Sequence, residues 1–206
     1  MNKIQKGVIL VLMTAIISGV SVFLNKFAVK AIANSDVFTT AKNIMVGLVL
    51  MGIVLLPFYF NKLKQVKSSD WLKLFLIAGI GGSVSFLLFF KGLSLTSATS
   101  AAFVHKTLFV WVSLLAVWFL KEKIGKLQYL ALGLLFVGNF TMLGFKFMSF
   151  GWPELLILAA DLMWAVEFII AKKVLAGVPS EIVAWARMFI GAIILLAYSP
   201  VGNTAC

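Results

Sequence analysis

His105 and Lys106 interrupt an apolar run that extends from Ala98 to Leu120. A second run, Trp152 to Lys172, contains Asp161 and Glu167, with Trp164 between them. Lys42 and Arg187 stand inside two further apolar stretches, each six positions after an acid, Asp36 or Glu181. A charge within hydrocarbon costs about 2.5–3.5 kcal/mol on insertion scales, so each of these groups needs water, a partner or a ligand beside it. The chemistry they can support is binding and proton relay. Lys106 can face an anion, Asp161 and Glu167 are intramembrane carboxylates of the kind that serve a site, and His105 is of the type that titrates near neutral pH. Each also has a plainer reading. Lys106, Lys42 and Arg187 can anchor helix ends at the bilayer surface, their stems in hydrocarbon and their heads in water. Asp161 and Glu167 can each pair with a lysine of another helix.

Spacing limits the combinations. Six residues turn a helix by about 240°, so Asp161 and Glu167 do not share a face, whereas Trp164 lies one turn from Asp161 and can wall the same space. Positions i and i+6 also diverge, so direct pairs of Lys42 with Asp36 or Arg187 with Glu181 are not expected. Asn25, Asn139, Thr141 and the small-residue run Gly79 to Ser85 read as packing and interhelical hydrogen bonding. Trp71, Trp118 and Trp152 fall near the ends of apolar runs, where belt anchoring accounts for them. No H-E-x-x-H, G-x-S-x-G or G-x-x-x-x-G-K-[ST] pattern is present, and Cys206 is the sole cysteine. We expect no catalytic set, no metal and no cofactor, and a driving force that is a gradient or exchange rather than ATP. A single histidine also argues against a membrane-embedded lipid-modifying enzyme.

The elements that position these residues follow from composition. Of 206 residues, 62% are hydrophobic and 12% charged, against about 45–50% and 25% in ordinary soluble domains. No soluble fold could cover that much apolar surface with so few charges, so lipid is the expected solvent and partner. Seven stretches reach the roughly 20 residues a spanning helix needs: about Gly7–Phe27, Val37–Phe60, Trp71–Leu93, Ala98–Leu120, Leu127–Phe147, Trp152–Lys172 and Ile182–Ser199. Strand alternation is absent. The fold class is therefore an all-α integral membrane protein, a polytopic bundle of about seven transmembrane helices. The first stretch is too long for a signal peptide and lacks a cleavage site, so it reads as a retained span. The formal charge of +11 comes from lysines clustered between the stretches, which sets orientation rather than nucleic-acid binding. A cytoplasmic N-terminus puts eleven lysines inside and four outside (Lys26, Lys30, Lys91 and Lys146), the inside bias of membrane proteins. Cys206 then lies outside, and the expected location is the plasma (inner) membrane.

The chain also repeats weakly. Thr14–Lys30 lies over Ala160–Ala176 with Lys26 on Lys172; Ser35-Asp36 then meets Ser180-Glu181, and Ala41-Lys42 meets Ala186-Arg187. A five-span unit (residues 1–148) followed by two spans of its copy (149–206) must invert, because five is odd. Inverted repeats with a substrate path between them are a recurring build of secondary transporters.

One segment adds a family likeness. Small residues open the fourth stretch at Ser94–Ala102, an apolar helix follows, Lys121-Glu122-Lys123 forms a basic turn, and Gln128-x-x-Ala131-x-Gly133 opens the next helix. This order resembles the EamA group of drug/metabolite transporters, although Phe109 stands where that family usually carries a proline. The resemblance implies alternating-access transport of a small metabolite, charges that pin the second helix of each repeat, and ten spans in all. Three helices would then lie beyond the last stretch, in a longer chain or in a homo-oligomer or partner chain that completes the fold. The competing reading is a non-transporting remnant or assembly subunit.

Overall fold

The computed structural model describes residues 3–32, 34–121, 125–142 and 150–198, and every regular element among them is helical. Eight helices follow in order: α1 (Lys3–Ala31), α2 (Ser35–Val54), α3 (Pro57–Lys64), α4 (Ser68–Leu95), α5 (Ala98–Leu120), α6 (Lys126–Met142), α7 (Trp152–Val174) and α8 (Ser180–Tyr198). Lipid offers no hydrogen-bond partners for loose backbone, which is why the apolar stretches close into helices. Glu122, Lys123, Lys146 and Cys206 lie outside the described residues.

Five helices are long and apolar enough to cross a membrane: Gln5–Ala31, Ser35–Val54, Ser68–Leu95, Ala98–Leu120 and Ser180–Tyr198. The expected fifth and sixth spans differ for separate reasons. α6 has 17 residues within the described range. α7 has 23 residues but carries Glu154, Asp161 and Glu167 besides Lys172 and Lys173. All three α7 carboxylates are buried. That helix packs against α4 and α5 and meets α8 through Glu167 and Arg187, so its carboxylates face protein rather than lipid.

One expected span is corrected. The second does not run to Phe60: it stops at Val54, and Pro57 opens the separate helix α3. Proline pushes the residue before it out of helical geometry, and Leu56 has ψ 140°. The fourth, Ala98–Leu120, has the expected bounds and carries a break at Lys106–Thr107. There Thr107 N–H donates to Val104 O and Val110 N–H to Thr107 O, a three-residue tightening of the ladder. His105 is thus the last residue of the first half of α5.

Wide turns, one residue looser than an α-turn, interrupt α4 at Ile80–Val84 and α8 at Ala186–Ile190, and they pack together. A Cβ added to Gly82 would run into the carbonyl of Arg187, and one added to Gly191 would lie 2.7 Å from the Gly82 carbonyl oxygen. The small residues of Gly79–Ser85 therefore allow a backbone-to-backbone approach. A wide turn strands carbonyls that a regular helix would use, and here side chains take them. Trp164 Nε1–H donates to Gly81 O at 3.0 Å and Asn43 Nδ2–H to Gly82 O at 2.6 Å. Ser83 Oγ–H reaches Gly191 O at 3.0 Å.

The apolar core has two parts. One gathers Leu74, Ile77, Val174, Ile182 and Ala186 where α4, α7 and α8 meet, and the other gathers Val29, Phe89, Phe90, Leu93, Ile157 and Trp164 toward the opposite end of α4. α1 joins the second part only through its C-terminal turns, and most of its apolar side chains are exposed.

Candidate functional site

α7 places Asp161, Trp164 and Glu167 in the interior, and different helices answer each acid. Asp161 is fully buried, and its Oδ1 lies 2.7 Å from Nδ1 of His105 at the break in α5. Glu167 meets Arg187 of α8, with Oε2 3.0 Å from Nη2. A side chain on Gly81 would occupy the space of the Glu167 carboxyl group, so the glycine makes room for that pair. The two acids face different neighbours, as six residues of helix require. The partner of Asp161 is a histidine and that of Glu167 an arginine, not the lysines of the plainer reading.

Trp164 joins the two halves. Its ring centroid is 5.3 Å from His105, 5.2 Å from Phe86 and 5.4 Å from Phe89. Lys42 and Arg187 then converge on the same aromatic row. Lys42 Nζ lies 4.6 Å from the centre of the Phe90 ring and 5.9 Å from that of Phe86, and the Arg187 guanidinium is 5.4 Å from Phe86. Ring faces attract cations by about 0.5–2 kcal/mol, more where water is excluded. Lys42 meets no carboxylate among the described residues, so the aromatic faces are what hold it. Lys106 is exposed and is not brought to the site. His105, Asp161, Trp164, Glu167, Lys42 and Arg187 thus form one continuous arrangement of two acids, three bases and the rings between them.

Each end of this arrangement is bridged. Beside the α4–α5 turn, Glu154 accepts from the hydroxyls of Thr96 and of Ser100 (2.9 Å) and from Gly151 N–H at 3.0 Å. The Lys26 ammonium of α1 donates to the carbonyls of Leu93 (2.5 Å), Ser94 (3.3 Å) and Thr96. A cation on the last carbonyls of α4 also complements that helix's dipole. At the other end, Tyr59 of α3 donates to Glu181 of α8 at 2.8 Å, a bond that pushes the Tyr59 hydroxyl above its ordinary pKa. Asp36 and Glu181 do not pair with Lys42 and Arg187, as their spacing requires.

Sequence reasoning missed Lys26, Glu154, Thr96 and Asn43. Lys26 was expected on the outside, but it is buried, with its ammonium on the carbonyls at the end of α4. Glu154, at the third position of a helix opened by Trp152-Pro153, had a legible signal as an N-terminal capping acid. Replacing Lys26 with methionine strips charge-assisted bonds worth about 1.5–3 kcal/mol. We expect a loss of that order in stability, read as a lower melting temperature in detergent, with Lys26→Arg retaining more than Lys26→Met.

An apolar groove of about 550 Å³ opens between α5 and α6, lined by Phe109, Leu114, Trp118, Tyr129 and Phe136 among others, and it contains none of the charged candidates. No group of three His, Cys, Asp or Glu side chains among the described residues could hold a metal ion.

A family model described as the EamA-like transporter family matches residues 5–144, more than half of the chain. That span covers α1 to α6, and α7 and α8 lie beyond it. No curated protein and no solved structure matches the chain.

Proposed function

The chain belongs to the EamA-like transporter family, and from that premise we propose that it moves a small polar metabolite across the plasma membrane by alternating access. It is a multi-pass helical membrane protein in contact with lipid, and its family is one of transporters rather than enzymes. The observation that carries the finer reading is the acid–base row along α7: Asp161 with His105 and Glu167 with Arg187, buried in the middle of the bundle. Ionisable groups at such depth ordinarily serve a substrate or ion path.

In this reading residues 1–148 form one repeat and 149–206 part of its inverted copy, with the N-terminus in the cytoplasm. Two features support it. Lys42 and Arg187, equivalent in the two copies, approach the same Phe86 ring. The bridges at both ends, Glu154 with Thr96 and Ser100, and Glu181 with Tyr59, each join a residue before 149 to one after it. Relative movement of the two copies opens one bridge or the other, which exposes the row to one side at a time.

Counterflow of a radiolabelled panel of sugars, amino acids, organic acids and amines into proteoliposomes tests the proposal. We expect flux of at least one class, lost in Arg187→Met. A folded protein that moves none of them sinks it. Cysteines placed at Lys62 and Lys172 are expected to react with an impermeant reagent from the same side, and opposite sides would remove the inverted pairing. A second reading, a subunit that completes its bundle with a partner chain or second copy, is favoured by the open groove between α5 and α6. Native mass measurement in detergent distinguishes it, because a strict monomer with flux excludes it.

A further inference from the structure

Asp161 has no accessible surface, one of its oxygens faces only His105, and the other, Oδ2, meets no donor among the described residues. The charged groups on the surrounding elements are committed elsewhere or turned away. On α7 itself, Glu167 faces Arg187 of α8, and Glu154 faces Thr96 and Ser100. Lys26 of α1 is held by carbonyls at the end of α4, and Lys42 of α2 lies over Phe86 and Phe90. Lys91 of α4, Lys106 of α5 and Lys126 of α6 are exposed. The rings of Phe89 and Trp164, with centroids 4.9 Å and 5.3 Å from the imidazole, flank it.

A carboxylate beside a neutral imidazole leaves one uncompensated charge in this apolar enclosure, which costs several kcal/mol. One added proton, on either partner, makes the couple neutral overall. We propose that His105 and Asp161 form a proton-binding site that couples transport to a proton gradient, holding one proton while shut off from water and releasing it when the bundle opens and hydrates the pair. The imidazole is the reachable member, with 19% of its side chain exposed against none for Asp161. A proton from water therefore arrives at Nε2 while the Nδ1 proton is shared with Asp161 Oδ1. Release reverses those two steps, and only N–H and O–H bonds form or break. The proposal deepens the transport reading by naming the coupled ion, but proton binding itself is measurable without a known substrate.

The test is a pH jump across the physiological range, from about pH 8 to about pH 6. It is applied to proteoliposomes of the full chain, adsorbed on a solid-supported electrode that reads displaced charge. We expect a transient displacement that is lost in His105→Gln and in Asp161→Asn and kept in Asp161→Glu. Undiminished displacement in a monodisperse His105→Gln or Asp161→Asn protein overturns the site. Should those variants fail to fold, diethyl pyrocarbonate on the wild-type protein replaces them, because His105 is the sole histidine. Displacement abolished by the reagent and restored by hydroxylamine supports the site. Displacement that persists once mass spectrometry finds the adduct on His105 overturns it. Counterflow in the same vesicles separates the two readings. Flux without displacement removes the proton site and leaves transport standing, whereas displacement without flux keeps the site and removes transport.

Discussion

Arg187→Met is expected to destabilise the folded protein by about 3–5 kcal/mol, the cost of leaving one member of a buried ion pair alone. Glu167 cannot turn to water, because it is 2% exposed and sits in the space that Gly81 leaves open on α4. Methionine keeps the apolar stem of Arg187 and removes only the guanidinium, so the loss reports charge rather than packing. Glu167→Gln in the same chain removes the stranded carboxylate and is expected to recover most of the loss. Unfolding titrations in mixed detergent micelles read both. An Arg187→Met protein as stable as wild type would mean that the pair is hydrated.

Gly82→Val is expected to cost at least the roughly 1–3 kcal/mol of an overpacked core. The new side chain would strike backbone, the Arg187 carbonyl, rather than the movable end of a side chain. α4 and α8 must then separate, and the Ser83 bond to the Gly191 carbonyl goes with the contact. Gly133→Val on α6 is the control, since nothing lies within 4 Å of a Cβ there and no comparable loss follows. Melting of the two variants side by side in detergent decides it. Equal midpoints would show that the two wide turns do not pack as described.

The helices were legible in the sequence because lipid simplifies the problem: continuous apolar runs of spanning length have one closed solution. Their interruptions were less so. Hydropathy carries straight through Leu55–Phe60, and only Pro57 marks the stop. The break in α5 falls at Lys106–Thr107, where neither proline nor glycine announces it and the irregularity is visible only in the hydrogen bonds. That Asp161 and Glu167 needed separate answers was legible from helix geometry. Their partners were not, because which helix lies beside α7 is decided by packing far along the chain. Lys26 shows the same limit, since a lysine at the end of an apolar run can reach inward or outward with identical local sequence.

The wide exposure of α1 has a mechanical consequence. Its apolar stretch, about Gly7–Phe27, amounts to about 30 Å at 1.5 Å per residue, close to a hydrocarbon layer of about 30 Å. A rod that fits its slab upright leans as the slab thins. Because α1 joins the core near its C-terminal end, at Val29 and Lys26, bilayer thickness works on it as a lever whose short arm ends at the carbonyls of Leu93 and Thr96.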